Sequence, residues 1–285
     1  MKSGSILIVG CGDLGARVGQ ILTNSGWSAY GACRNTGRLP EYINAIEADY
    51  TRASDLAFIE QLAPDVVIAT FKPTAFSAEG YQHGFPLATK NLLSGLGGHR
   101  PRMILLVSST RVYAERDGNR VDESSELARE GYAALALIEA EALIRSAGLN
   151  HCIVRFAGIY GDPDGRLIRN VAGGAISSPE APVRYGNRIH RDDCAGFLAH
   201  LCLLEEAARE SLYLGVDDDP APQYEVQQWL SKELGVAPVQ GSATTSTGRG
   251  SGHKRCDNRL LKESGYRLRY RDYRQGYAAV IAARD

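Results

Sequence analysis

The feature that most constrains this chain of 285 residues is a glycine-rich stretch that runs from Ile6 to Gly19. It opens with four consecutive apolar residues, three of them β-branched, and such a run predicts a buried strand. Gly10, Gly12 and Gly15 follow with the spacing G-x-G-x-x-G, and apolar residues at helical spacing come after them. The stretch therefore predicts a strand, a tight turn and an amphipathic helix in direct succession.

The three glycines have distinct predicted roles in holding a dinucleotide. Gly10 allows the sharp turn, Gly12 lets a pyrophosphate approach the backbone, and Gly15 lets the helix pack closely on the strand. The first helical turn, which contains Asp13 and Leu14, presents N–H groups and the positive end of the helix dipole to the phosphates. Glycines that only mark a surface turn are the alternative. The strand and helix on either side favour a dinucleotide site made by these five residues.

The end of the second predicted strand indicates which dinucleotide is bound. This strand runs from Trp27 to Cys33, and Arg34 follows it, with no acidic residue before Glu41. An acidic side chain here would bind the ribose 2′-hydroxyl of NAD, whereas an arginine suits the 2′-phosphate of NADP. The sequence therefore predicts NADP as the cofactor, with NAD as the alternative. The alternative is that Arg34 is a solvated surface arginine with no role in cofactor binding.

Strands and helices alternate along most of the chain, and this pattern predicts the fold class. It indicates an α/β protein with an NAD(P)-binding Rossmann fold and a doubly wound parallel sheet. One strand ends at Thr70, which is a predicted cofactor-binding residue because ligands bind at the carboxyl ends of the strands in such sheets. A loop is predicted from Phe71 to Phe85 and a helix from Pro86 to Leu96.

The predicted domain organisation has two parts. Residues 1–216 form the Rossmann domain, and residues 217–285 form a small C-terminal substrate lobe. Residues 162–188 are predicted to be an insert that joins this lobe.

Composition argues against several classes of protein. The formal net charge of -1 gives no general attraction to nucleic acid or to a membrane surface. No apolar run approaches the length needed to cross a bilayer. The six cysteines lack metal-binding spacing, so no metal is predicted and a reducing compartment is favoured. Met1 leads almost directly into the first strand, which predicts no signal peptide and a cytoplasmic protein.

Beyond the glycine turn, three short motifs carry a resemblance to a known family. They are Ser108–Tyr113 (S-S-T-R-V-Y), Arg155–Gly161 (R-F-A-G-I-Y-G) and Ile189–Asp193 (I-H-R-D-D). With them, nearly the whole chain resembles the extended short-chain dehydrogenase/reductase superfamily, the NAD-dependent epimerases and dehydratases. Extended members usually carry G-x-x-G-x-x-G, so the likeness is to an atypical branch. The resemblance implies that Asp49 lies at the adenine position and that Ser109 lies at the position of the catalytic Ser or Thr.

The chain departs from that family at its Tyr-x-x-x-Lys pair. In the family the lysine lowers the pKa of the tyrosine through its positive charge and binds the nicotinamide ribose. Here Ala136 stands four residues after Tyr132, and no lysine occurs between Lys90 and Lys232. No local realignment recovers the pair.

Three residues remain as candidates for catalysis. Ser109 could hydrogen-bond a substrate oxygen, Tyr132 could act as an acid, and Tyr113 could present its hydroxyl to the site. Each also has a structural interpretation: a serine that caps backbone groups at the end of a strand, a tyrosine packed at the start of a helix, and a tyrosine that belongs to a strand-end motif.

The sequence predicts an NAD(P)-dependent epimerase, dehydratase or reductase that lacks the standard pair of catalytic residues. Its substrate would be a sugar nucleotide or another small carbonyl or hydroxyl compound. The alternative is an NAD(P)-binding sensor or scaffold protein without turnover. The predicted partners are the dinucleotide and an unknown small-molecule substrate, with no nucleic acid and no membrane. The resemblance also implies a homodimer through the helices around 86–96 and 132–146.

Overall fold

The structure, a computed structural model, describes residues 3–176, 180–237, 239–240 and 253–284. Parts of the predicted insert and lobe, residues 177–179, 238, 241–252 and 285, therefore lie outside the described residues. The strands are β1 Ser5–Val9, β2 Ser28–Cys33, β3 Asn44–Glu47, β4 Val66–Ala69, β5 Met103–Ser109, β6 Arg120–Val121, β7 His151–Phe156, β8 Gly158–Tyr160, β9 Ala175–Ile176, β10 Arg188–His190, β11 Leu212–Gly215, β12 Val239–Gln240 and β13 Arg255–Cys256. The α-helices are α1 Asp13–Thr23, α2 Phe58–Leu62, α3 Ala78–Gln82, α4 Ala88–Gly95, α5 Tyr132–Ser146, α6 Arg166–Ala172, α7 Arg191–Leu203, α8 Gln223–Glu233, α9 Arg259–Glu263 and α10 Tyr273–Ala282.

A parallel sheet of seven strands forms the centre of the fold, in the order β11-β7-β5-β4-β1-β2-β3. β1 lies between β2 and β4, with Ile6 opposite Ala29 on one side and Val66 on the other. Ile6, Leu7 and Ile8 are fully buried, as expected for a strand covered on both faces. The predicted α/β class and Rossmann-type parallel sheet are therefore confirmed.

The strand order places a ligand-binding position at the end of β1. From β1 the chain adds β2 and β3 on one side, and it then returns to add β4, β5, β7 and β11 on the other. The direction of winding therefore reverses between β1 and β4. In open α/β sheets, ligands bind at the carboxyl ends of the strands that flank such a reversal. Here those ends lead into Gly10 and Thr70.

The segment after β4 differs from its prediction as a loop through Phe85. Helix α3 begins at Ala78, because the Ser77 side chain caps it by accepting a hydrogen bond from the Gly80 N–H at 3.1 Å. A π-helical turn, His83–Leu87, then connects α3 to α4 and contains Pro86. The wider turn accommodates a residue that has no N–H to donate, so the proline does not mark the start of the helix.

The described chain divides into two compact units. The first unit comprises Met1–Val112, Leu127–Arg155 and Ala195–Tyr213, and the second comprises Tyr113–Glu126, Phe156–Cys194 and Leu214–Asp285. The boundary predicted between residues 216 and 217 stays a prediction. Within the described ranges, every helix is too short or too polar to span a lipid bilayer.

The second unit has its own apolar core. Its buried members come from α6, α8, α10 and the segment before α8: Ile168, Val171, Ala221, Val226, Leu230, Tyr273, Tyr277 and Val280. In the same unit β8 pairs in parallel with β10, which places Tyr160 opposite His190. The predicted insert and C-terminal region thus contribute to one core.

Candidate functional site

The turn after β1 has a backbone conformation that requires glycine at its first position. Gly10 has φ = +84°, and its N–H donates to the carbonyl of Ala32 at 2.9 Å. A Cβ at this position would lie 2.8 Å from the carbonyl oxygen of Thr70. A side chain at this position would therefore overlap with backbone atoms, and the residue would also have an unfavourable backbone conformation.

The other two glycines of the turn have different surroundings. A Cβ on Gly15 would lie 2.8 Å from Cγ2 of Ile8, so the absence of a side chain lets α1 pack closely on β1. Among the described residues, the atoms nearest to a Cβ on Gly12 would be Nζ of Lys72 at 3.8 Å and the Gly10 carbonyl oxygen at 4.0 Å, both at ordinary van der Waals distance. Packing within the protein therefore does not require a glycine here, and the space above Gly12 is open to the close approach of a pyrophosphate.

The N-terminus of α1 begins at this open space. Gly12 is the N-cap residue and supplies no side-chain hydrogen bond, and the Ala16 N–H donates to the Gly12 carbonyl at 2.8 Å. The N–H groups before Ala16 precede the first i→i−4 bond of the helix, so they are the ones a bound anion meets. Asp13 lies in this first turn and forms an ion pair with Arg17 at 3.2 Å. The arginine offsets the carboxylate charge near the proposed phosphate position.

Thr70 supports the turn from the neighbouring strand. Its side chain is 7% exposed, and its hydroxyl donates to the carbonyl of Gly10 at 3.0 Å and lies 3.3 Å from that of Val9. These bonds hold the turn in place. Direct contact of Thr70 with the cofactor stays a prediction.

Cys11, which stands between the first two glycines, is a packing residue. It is buried, and burial, with a further contribution from Cys33, raises the pKa of its thiol to about 12. The thiol therefore stays protonated at neutral pH and does not act as a nucleophile.

Asp49 and Arg34, predicted at the adenosine end of the site, influence one another electrostatically. Oδ1 of Asp49 accepts hydrogen bonds from the Thr51 N–H at 3.0 Å and the Thr51 hydroxyl at 2.7 Å. Burial alone would raise the pKa of the Asp49 carboxyl, but these hydrogen bonds and the positive charges of Arg34 and Arg52 outweigh it and lower the pKa. Asp49 is thus ionised, and the exposed Arg34 lies close enough to contribute to that state.

Lys72 lies beside the glycine turn, although sequence reasoning did not identify it. The residue follows β4 and is exposed, and its ammonium lies near the space above Gly12. No motif marks it. The sequence points to it only indirectly. The strands that end at Val9 and Thr70 are expected to reach the same edge of the sheet, so a residue just after Thr70 is expected near the glycine turn.

Ser108 and Ser109 have different environments at the end of β5. The buried Ser108 donates to Oε1 of Glu141 at 2.6 Å, and Glu141 is fully buried in an ion pair with Arg155 at 2.6 Å. Ser109 is partly exposed, and its hydroxyl oxygen accepts a hydrogen bond from the Arg111 N–H at 3.2 Å. The Ser109 hydroxyl proton can therefore still be donated to a substrate oxygen.

Tyr132 stands at the start of α5 with its ring 45% exposed. Its hydroxyl donates to the carbonyl of Phe76 at a long 3.5 Å, and its ring packs edge-on against Tyr81 with centroids 5.5 Å apart. Among the described residues, the hydroxyls of Ser109 and Tyr132 do not hydrogen-bond to each other. Ala136, four residues further along the helix, is fully buried.

Tyr113 is fully buried and belongs to the second unit. Complete burial favours a packing role for its ring. Its assignment to catalysis stays a prediction.

The residues of the first unit fit a dinucleotide. The open space over Gly12, the α1 N-terminus that begins there, and the two exposed cations Arg34 and Lys72 match the needs of a pyrophosphate with a nearby adenosine.

Comparisons with known proteins agree with this geometry. Residues 10–204 match the NAD(P)H-binding family. A solved protein from Methylobacillus flagellatus, assigned as an NAD-dependent epimerase/dehydratase, is 34% identical, with a TM-score of 0.83 over 99% of this chain and 98% of that one. No curated protein matches the chain.

Two more distant structures share the fold. The UDP-glucose 4-epimerase of Thermus thermophilus, in complex with NAD, is 17% identical, with a TM-score of 0.82 over 98% of each chain. The human epimerase family protein SDR39U1, with NADPH, is 16% identical, with a TM-score of 0.78 over 98% of this chain and 99% of that one. The match of residues 10–204 to the NAD(P)H-binding family confirms NAD(P) as the cofactor class. The chain belongs to the NAD(P)H-binding family, among the atypical, extended short-chain dehydrogenases/reductases that include the NAD-dependent epimerases and dehydratases.

Proposed function

We propose that this protein is an NADP-dependent epimerase, dehydratase or reductase that acts on a sugar-nucleotide-like compound or another small carbonyl or hydroxyl compound. The observation that carries the proposal is the open space above Gly12 at the N-terminus of α1. The relatives are named as epimerases or dehydratases. Their names suggest that a nicotinamide bound at this site reacts with a carbinol or a carbonyl group.

The proposed residue roles follow from the contacts of each side chain. A bound nicotinamide would supply the hydride transfer. The Ser109 hydroxyl, oriented through its bond with the Arg111 N–H, would donate a hydrogen bond to the substrate oxygen. Tyr132, half-exposed and with a long hydrogen bond to the Phe76 carbonyl, would transfer a proton to or from that oxygen.

The preference for NADP rests on Arg34. Its exposed guanidinium follows β2, at the point where an arginine suits a 2′-phosphate, and its charge reaches Asp49. A titration that follows nucleotide fluorescence tests the preference. Arg34→Ala should weaken NADPH binding about tenfold and leave NADH binding unchanged, because one charge-assisted contact is lost. Arg100→Ala, which removes an exposed arginine elsewhere in the first unit, is the control. Equal affinity of the native protein for both nucleotides would contradict the preference.

A second candidate function is NAD(P) sensing without turnover. It is favoured by Ala136, which leaves the position of the family's lysine buried and uncharged. The two functions differ in whether a bound nucleotide reacts. For an enzyme, sugar nucleotides or small aldehydes and ketones should be converted in the presence of NADPH or NADP, as detected by nicotinamide absorbance or product analysis.

Variants separate the two functions further. Tyr132→Phe and Ser109→Ala should keep nucleotide affinity and lose most turnover. Tyr42→Phe is a matched control, because Tyr42 is similarly exposed and also donates to a backbone carbonyl, that of Ala16 at 3.3 Å. Tight nucleotide binding with no turnover of any such substrate would favour the sensor.

We also propose that the protein forms a homodimer through α4 and α5. The support is the exposed Leu135 side chain on α5 together with the family resemblance.

A further inference from the structure

We infer that Lys72 binds the cofactor pyrophosphate above Gly12 and adds a positive charge to the N–H groups that the N-terminus of α1 presents there. The inference deepens the NAD(P) site and rests on it. It concerns affinity for both dinucleotides, in contrast to the role proposed for Arg34.

The position of the ammonium is the first support. Nζ of Lys72 lies 3.8 Å from the point that a Cβ of Gly12 would occupy. That point marks the space into which a pyrophosphate approaches the backbone in this fold. An anion in this space would therefore lie within a short ion-pair distance of the ammonium.

The backbone of Lys72 is held in place although its side chain is exposed. The Tyr50 hydroxyl donates to the Lys72 carbonyl at 3.2 Å, and the Lys72 N–H lies 3.3 Å from the same hydroxyl oxygen. The Tyr50 ring packs on the buried Phe71 with centroids 4.9 Å apart. A Cβ on Gly84 would collide with the Lys72 carbonyl, so the chain is closely packed on that side too. Only the side chain of the lysine is left to adjust.

Within the part of the chain that the structure describes, no neighbouring carboxylate neutralises the charge of Lys72. Over the described ranges, no acidic side chain lies within 4.0 Å of its Nζ, whereas Lys90 of the same unit pairs with Glu139 at 3.3 Å. The nearest acidic residue along α1, Asp13, is paired with Arg17. An arriving pyrophosphate would thus supply the counter-charge.

The test compares the nucleotide affinities of charge-removing and charge-retaining variants. Lys72→Met should weaken the binding of NADPH, NADH and ADP by a similar factor of about ten, because all three contain the pyrophosphate. Lys72→Arg should restore most of the affinity. The slope of log affinity against log salt concentration should become shallower in Lys72→Met, because one ion pair is lost. Lys90→Met removes an exposed lysine of the same unit and should change none of these values.

The affinities that each variant loses for NADPH, NADH and ADP identify the part of the nucleotide that Lys72 contacts. The double variant Lys72→Met/Arg34→Ala should show the product of the two single losses for NADPH, because the cations act on different phosphates. A loss for NADPH alone would place Lys72 at the 2′-phosphate and overturn the inference. A loss for NADH with unchanged ADP would place it at the nicotinamide half and would overturn the inference as well.

Unchanged affinities in Lys72→Met, with a native protein that binds, would overturn the role of Lys72 alone. Absence of binding by the native protein would overturn this inference and the proposed function together. Thermal unfolding of each variant verifies that the exposed substitution leaves the fold intact.

Discussion

At the scale of single residues, Gly10 shows how the turn limits the choice of side chain. Several glycines of the chain have a positive φ. At Gly10, however, an added Cβ would also lie against the Thr70 carbonyl. Gly26 has the same φ of +84°, yet no atom of the described residues would lie within 4 Å of a Cβ there. The two positions therefore separate conformational strain from steric overlap.

We predict that Gly10→Ala lowers the free energy of unfolding much more than Gly26→Ala does. The positive φ costs an alanine about 1 kcal/mol at either position. At Gly10 the Cβ would also lie 2.8 Å from the Thr70 carbonyl oxygen, which should bring the loss to about 3 kcal/mol or more. Urea unfolding followed by circular dichroism measures both values. Equal losses would mean that β4 moves aside without cost.

Asp217 of the second unit is a buried carboxyl group whose protonation is coupled to folding. It is 3% exposed, and its Oδ2 has no hydrogen-bond partner among the described residues. Burial raises its pKa from 3.8 to about 8, with Asp219 and Asp272 adding to the shift and Arg188 opposing it.

We predict that this group makes stability fall as pH rises. Between about pH 4 and about pH 8 the folded state holds a proton on Asp217 that the unfolded state has lost, so the free energy of unfolding falls across this window. Asp217→Asn should match the native protein near pH 4, exceed it in stability near pH 8, and show a flatter profile. Urea unfolding at several pH values measures this. Asp117→Asn, at an exposed position of the same unit, should leave the native profile unchanged. An unchanged profile in Asp217→Asn would contradict the assignment.

At the scale of elements, α5 is attached to the sheet by a buried charged network. Glu141 of α5 accepts from Ser108 of β5, pairs with Arg155 of β7 at 2.6 Å, and also pairs with Arg145 one turn along the helix at 3.1 Å. Glu141 and Arg155 are both almost completely buried. Each charge therefore depends on the other for compensation.

We predict that Glu141→Gln lowers the free energy of unfolding by about 3–5 kcal/mol, because it leaves the Arg155 charge buried without a full counter-charge. Glu139→Gln on the same helix should cost less than about 1 kcal/mol, since its ion pair with Lys90 is exposed. Urea unfolding compares the two. Similar losses would show that the network contributes no more than a surface ion pair.

The elements also show why some features are visible in the sequence and others are not. The glycine turn and β1 were predictable because their pattern is local, with apolar residues next to glycines of fixed spacing. The start of α3 was missed although its Ser77 cap is a local signal, because the Gly-, Pro- and Ser-rich composition of the segment indicated a loop, and a π-turn accommodates Pro86. Lys72 and Glu141 were missed for a different reason. Their roles depend on neighbours brought in by distant strands, and a single sequence does not display those pairings.

At the scale of the whole molecule, Leu135 bears on the homodimer that we propose through α4 and α5. This leucine is 42% exposed, so α5 presents a large apolar side chain to solvent. Burial of that side chain against a second copy of the chain would favour association.

We predict a dimeric mass in light scattering at micromolar concentration, and Leu135→Arg should shift it toward the monomer because a charge would be buried in the contact. Leu203→Arg changes another exposed leucine and serves as the control. A monomeric mass for the native protein would contradict the proposed dimer.

The hydrogen bond between Thr70 and Gly10 also bears on the order in which the molecule assembles. β1 and β2 lie close in the chain, but β4 follows β1 only after about 60 residues, so its docking requires closure of a long loop. While the chain is being synthesised, the glycine turn emerges first, and the threonine hydroxyl that completes it is added later. Lys72 arrives with the same strand. We expect competence to hold a nucleotide to appear in a single step, when β4 takes its place beside β1.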